Sequence, residues 1–178
     1  MNVPNLLSIF RFFVTFFFIY AVYQGSLRLA LYLFLLQGLS DLLDGFFARV
    51  MGKKTELGAY LDPIADKTML VAAFTMLYLV NIIPGWLTVI VLVRDVFIAL
   101  GYLFLYRTTA NVKPKPTLLG KFTTTCQIAT ILYVLWSPDR QYGMILFVIT
   151  AAATILSGLH YFINGWSSMG KKVLPEGQ

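Results

Sequence analysis

The chain has 178 residues, of which 58% are hydrophobic and 12% charged, with a mean hydropathy of +0.76 and a formal net charge of +6. A soluble domain is about one quarter charged, so this composition excludes an ordinary soluble fold and predicts an all-α, polytopic membrane protein. The single cysteine, Cys126, excludes an internal disulfide and a cysteine-built zinc site, and its expected place is that of a small buried apolar residue.

In chain order, Pro, Gly and charge divide the sequence into six apolar spans. The first, 6–23, contains Arg11 and is too long for the apolar core of a signal peptide. Neither a basic segment nor a small-residue cleavage site flanks it, so it is read as retained. Its aromatic run predicts a lipid-facing helix. After Gln24-Gly25-Ser26, the second span, 27–49, ends on the acid pair Asp41 and Asp44. A break from Val50 to Leu57 leads to the third, 58–80, which opens on Asp62 and Asp66. The fourth, 86–106, carries Arg94-Asp95 in its interior, and the fifth, 118–136, follows a polar stretch from Arg107 to Thr117. The sixth, 142–163, contains His160, which has no second histidine at ligand spacing and is expected to be packed or interfacial. Trp86, Trp136 and Trp166 fall near span ends, where interfacial anchors sit.

Each span has about the 20 residues that a helical crossing needs, and in lipid a helix satisfies its own backbone groups. The expected architecture is therefore six transmembrane helices in one bundle over residues 1–163, with a polar cytoplasmic tail over 164–178. No internal repeat is visible. The basic residues cluster in the second-to-third and fourth-to-fifth connections and in the tail, which puts those segments and both termini on the cytoplasmic side. The four acids then share that side, accessible to a water-soluble substrate. The positive charge fits anionic head groups and phosphate substrates, or ordinary topology signals; no nucleic-acid partner is expected.

Carboxylates at the edges of apolar spans are costly, which makes them functional candidates. Asp41 and Asp44 are three residues apart and share a helix face; Gly58, Asp62 and Asp66 follow at steps of four. A short connection makes the second and third helices antiparallel neighbours, so the two stripes can face each other. Four carboxylates in one small volume repel unless cations neutralise them, and hard oxygen ligands favour Mg²⁺ or Mn²⁺. Two such ions suit a diphosphate. Gly45, Ala48 and Gly58 remove bulk beside the acids, either for a ligand or for helix packing. Internal pairing with Arg49, Lys67 or Arg94 would explain one or two of the acids, but not their register.

The pattern D-x2-D-G-x2-A-R-x8-G-x3-D-x3-D, with Asp41, Asp44, Gly45, Ala48, Arg49, Gly58, Asp62 and Asp66 at its eight fixed positions, resembles the signature of the CDP-alcohol phosphatidyltransferases. Pro4-Asn5-Leu-Leu-Ser8-Ile-Phe-Arg11, Arg94-Asp95 and Leu119-Gly120-Lys121 are similar to further landmarks of that family. The resemblance implies an integral membrane enzyme of six helices, often a homodimer, in a bacterial inner membrane with its active site facing the cytoplasm. It implies transfer of a phosphatidyl group from CDP-diacylglycerol to an alcohol with release of CMP. Carried over by residue, Asp41, Asp44 and Asp62 would hold one metal ion, and Asp41, Asp62 and Asp66 a second. Asp66 would be the general base. Asp41, Gly45, Ala48, Arg49, Gly58 and Asp62 would shape the CDP-binding pocket.

For the acceptor, Arg94, Lys115 and Lys121 form a candidate phosphate cradle, which favours glycerol 3-phosphate and phosphatidylglycerophosphate as product. The alternative for Arg94 is a local pair with Asp95, which the divergence of adjacent helical residues disfavours. Arg94-Asp95 and Lys115-Pro116-Thr117 also look similar to cardiolipin synthases of the same superfamily, whose acceptor is phosphatidylglycerol. Asn5, Ser8 and Arg11 either border the pocket or serve as interfacial caps. Two other classes stand beside this reading: an intramembrane prenyltransferase, which expects a larger bundle, and a small cation transporter.

Overall fold

The computed structural model describes residues 3–50, 56–108, 117–137 and 142–170, with side chains described over 9–43, 67–101, 117–137 and 142–163. Six helices follow one another: α1 (Val3–Tyr23), α2 (Leu27–Val50), α3 (Glu56–Leu79), α4 (Gly85–Thr108), α5 (Leu118–Trp136) and α6 (Gly143–Gly170). No strand occurs among the described residues. Each helix coincides with a predicted span, and the ends differ by a few residues. The largest difference is at the end of α6, which runs on through 164–170 into the stretch expected to be a tail. Polarity begins at Asn164, but loss of apolar character does not break the backbone ladder. Among the described residues, α5 and the Gly143–Ile163 part of α6 are long and apolar enough to cross a membrane.

Two helix ends show how local chemistry stops the chain. Gly25 adopts φ +73°, with Ser26 N donating to Ala21 O at 2.9 Å and Gly25 N to Val22 O at 3.0 Å. That pair of bonds, closed by a left-handed residue, is a Schellman cap, and it satisfies carbonyls that α1 would otherwise leave orphaned. The end of α3 repeats it with asparagine. Asn81 sits at φ 59°, Ile82 N donates to Leu77 O at 2.8 Å, and Asn81 N donates to Tyr78 O at 2.9 Å. Buried Ile82 and Leu77 supply the apolar contact that accompanies this motif, and Pro84 prevents the helix from resuming. At the other polarity, Thr117 caps α5 by accepting the Gly120 N–H on its hydroxyl at 3.1 Å.

The chain divides into two packed units: Met1–Pro84 with Ile131–Arg140, and Gly85–Thr130 with Gln141–Gln178. In the first, α1 packs against both α2 and α3. Its outer face carries exposed Phe12, Phe13, Phe16 and Phe17, in line with the lipid-facing expectation, while Val14, Phe18, Ala21 and Val22 are buried. Phe18 meets Phe34 of α2 with ring centroids 6.0 Å apart and tilted by 49°. α1 is thus a core helix on one side.

In the second unit, α4 packs against α6, and α5 is joined to α6 by a ladder of buried polar side chains. Thr123, Gln127 and Thr130 on α5 follow the i, i+4, i+7 register, as do Thr150, Thr154 and Ser157 on α6. Thr130 and Thr150 share a hydrogen bond at 2.7 Å, and the Thr123 hydroxyl donates to Ala153 O at 2.9 Å. Such bonds are each worth about 0.6 kcal/mol in a membrane, so the ladder sets the register of α5 on α6 more than it adds stability.

Gly25→Ala isolates the backbone cost at the first turn, because a Cβ there meets nothing within 4 Å. It is expected to lower unfolding stability by about 1–2 kcal/mol, and Gly25→Asn by less, as read from thermal unfolding in detergent.

Candidate active site

Asp41 and Asp44 lie one turn apart on α2, and Asp62 and Asp66 one turn apart on α3, so both acid pairs belong to the same packed unit. The backbone carries the expected helical register. The side chains of Asp44, Gly45, Ala48 and Arg49, and of Gly58, Asp62 and Asp66, lie outside the described residues.

Asp41 has a partner that the sequence reading did not assign to it. Arg11 of α1 donates from NH1 to Asp41 Oδ1 at 2.7 Å. The arginine side chain is 1% exposed and the aspartate 48% exposed, so the pair joins a buried cation to an anion that reaches an open surface. Arg11 is held in a polar column between α1 and α2. The Thr15 hydroxyl lies 2.9 Å from Arg11 O and 3.2 Å from Gln37 Oε1. Gln37 and Ser40 are buried in the same column, and Gln37 Nε2 and Ser40 Oγ have no hydrogen-bond partner among the described residues. Polar groups kept out of water without partners are costly, and an apolar seam would pack these helices as well. Arg11 as a charge inside an aromatic helix was the available signal; its partner, 30 residues away, was not readable.

Arg94 sits in the second unit, 8% exposed and extensively engaged. It donates from NH1 to Asp95 Oδ1 at 2.7 Å and from NH2 to Ser157 Oγ at 2.8 Å, and its guanidinium carbon lies 5.9 Å from the centre of the Tyr161 ring. The local Arg94–Asp95 pair, disfavoured from helical geometry, does form: the arginine side chain is long enough to turn back across the 100° between neighbours. Arg94 also lines an apolar cleft of about 420 Å³ between α4 and α6, with Val93, Phe97, Leu159 and Phe162. Lys121 is exposed one residue beyond Gly120 on α5. Gly120 has a packing reason of its own, since a Cβ there would lie 3.1 Å from the Tyr161 hydroxyl and 3.2 Å from Thr117 Oγ1. Lys115 lies outside the described residues.

Among the described residues there is no group of three or more metal-ligating side chains, and of the four aspartates only Asp41 is among them. The donor set nonetheless suits a hard divalent cation. It consists of carboxylates at one-turn spacing on two helices of one unit, with Asp41 still half-exposed after pairing with Arg11.

Comparison with known proteins gives the chain a family. A family model for CDP-alcohol phosphatidyltransferase matches residues 1–156. The chain is 33% identical to a probable cardiolipin synthase (CMP-forming) of Drosophila melanogaster, over 92% of this chain and 58% of that protein. It is also 33% identical to a cardiolipin synthase (CMP-forming) of Rattus norvegicus, over 92% of this chain and 61% of the relative. It thus spans about three fifths of the length of these relatives. A CDP-diacylglycerol--glycerol-3-phosphate 3-phosphatidyltransferase of Aquifex aeolicus is 35% identical over 75% of each chain. With the match covering 1–156 and the eight-residue acid signature in place, the chain belongs to the CDP-alcohol phosphatidyltransferase family, whose members are embedded in membranes.

Proposed function

We propose that this protein transfers the phosphatidyl group of CDP-diacylglycerol to the hydroxyl of a glycerol unit that already carries a phosphate, releasing CMP. The observation that carries the reading is the signature from Asp41 to Asp66, complete at every fixed position and borne on two helices of one packed unit. Asp41, Asp44 and Asp62 would hold one divalent cation, and Asp41, Asp62 and Asp66 another, as Mg²⁺ or Mn²⁺. When bound, these ions supply positive charge at the diphosphate oxygens.

The chain's own residues do the rest. Gly45, Ala48 and Gly58 leave room for the cytidine diphosphate against the helix backbones, and Arg49 offers charge to its phosphate oxygens. Asp66 accepts the proton of the acceptor hydroxyl, because a neutral alcohol is a poor nucleophile. The hydroxyl oxygen forms a bond to the phosphorus bearing diacylglycerol while the bond from that phosphorus to the CMP oxygen breaks. CMP departs with the bonding electrons as a phosphate. Six helices of 19–28 residues reach roughly 28–42 Å at 1.5 Å per residue, which supports six crossings of a core about 30 Å thick. The basic connections support an active site on the cytoplasmic face of a bacterial inner membrane, in a homodimer.

Glycerol 3-phosphate, giving phosphatidylglycerophosphate, is the first acceptor considered, and the naming of the Aquifex aeolicus relative supports it. Phosphatidylglycerol is the second, and the naming of the Drosophila melanogaster and Rattus norvegicus relatives supports it. Arg94 is buried and gives one N–H of each amino group to Asp95 and Ser157, so Lys115 and Lys121 stand beside it as candidates for contact with the acceptor phosphate.

Three outcomes test this reading on the purified protein in detergent. CMP release from CDP-diacylglycerol is lost on chelation and returns with Mg²⁺ or Mn²⁺; full turnover in chelator overturns the metal assignment. Asp66→Asn lowers turnover by about 10²–10⁴-fold, whereas an unchanged rate removes Asp66 as general base. With glycerol 3-phosphate and phosphatidylglycerol offered together, product mass identifies the acceptor: phosphatidylglycerophosphate supports the first reading and cardiolipin the second.

A further inference from the structure

We infer that Arg11 is the resident counter-charge and positioning residue of Asp41, holding that carboxylate in place in the metal-free protein and sharing it with a divalent cation when one binds. The inference rests on the metal reading of Asp41 given above. Three observations carry it. The Arg11 side chain is 1% exposed, so it cannot leave for water, and its NH1 lies 2.7 Å from Asp41 Oδ1. The backbone that carries it is linked to α2, since the Thr15 hydroxyl lies 2.9 Å from Arg11 O and 3.2 Å from Gln37 Oε1. Asp41 remains 48% exposed, so an arriving ligand can reach it without displacing the arginine.

The consequences follow from charge. With no metal bound, the acids that the metal reading gathers with Asp41 would repel one another, and Arg11 is a built-in cation that offsets part of that repulsion. With metal bound, the same guanidinium repels the incoming cation and moderates its affinity, while orienting the carboxylate oxygen it holds. Removing the charge should therefore destabilise the metal-free protein most and tighten metal binding, yet impair turnover because Asp41 is no longer held. A residue that only packs would weaken all three together.

The test uses the full chain in detergent, with Mn²⁺ alone as probe. Binding is read from the paramagnetic resonance of free Mn²⁺, and thermal unfolding is followed in chelator and in saturating Mn²⁺. Arg11→Gln is expected to bind Mn²⁺ about tenfold more tightly than the wild type and to show a larger Mn²⁺-induced rise in Tm, with CMP release reduced about 10–100-fold. Arg11→Lys, which keeps the charge, should stay close to the wild type in Mn²⁺ affinity. If Arg11→Gln does not fold in chelator but is recovered by Mn²⁺, the counter-charge role is supported in its strongest form. Equal Mn²⁺ affinity in wild type and Arg11→Gln, or an equal loss of Tm with and without Mn²⁺, overturns this inference alone. Failure of the wild type to bind Mn²⁺ overturns the metal reading, and this inference with it.

Discussion

Negative charge at the ends of apolar helices has to be offset from within the protein. A carboxylate beside hydrocarbon cannot draw on bulk water as a surface aspartate does, and several of them sharing one side of a packed unit repel. The chain meets this constraint with an arginine from a third helix. Arg11 reaches Asp41 at 2.7 Å, and its burial makes the pairing mutual, since an unpaired guanidinium inside α1 would be as costly as the acid it serves. α1 packs on both α2 and α3, and Thr15, Gln37 and Ser40 are buried where it meets α2.

The second unit answers the same constraint differently. Arg94 and Asp95 neutralise each other as neighbours on α4, and Ser157 takes the other amino group. Its polar character continues along α6 through Thr154 and Thr150, which bond across to α5. A buried polar network of this kind specifies which helix faces meet and in what register. In the first unit the charged pair is left half-open at Asp41; in the second it is closed.

The membership of the chain in its family and the geometry of its helices bear on different parts of the proposed chemistry. The family match over 1–156 supports the proposed reaction class. The helices carry the acids in two pairs, each at one-turn spacing, on elements that both pack against α1.

Much of this was legible in the residues alone. Helix existence, number and approximate ends follow from local rules: an apolar run in lipid must satisfy its own backbone, Gly25 and Asn81 supply the left-handed residues that close Schellman caps, and Thr117 caps α5. The acid register is equally local, because spacings of three and four fix a helix face without reference to anything else. Partnership is not local. That Asp41 pairs with Arg11, that Arg94 turns back on Asp95 and reaches Ser157 63 residues on, and that threonines of α5 and α6 form a ladder were decided by how helices come together. Helical periodicity says which residues share a face; only the packing of one face on another says which charges are compensated and which remain open to a ligand.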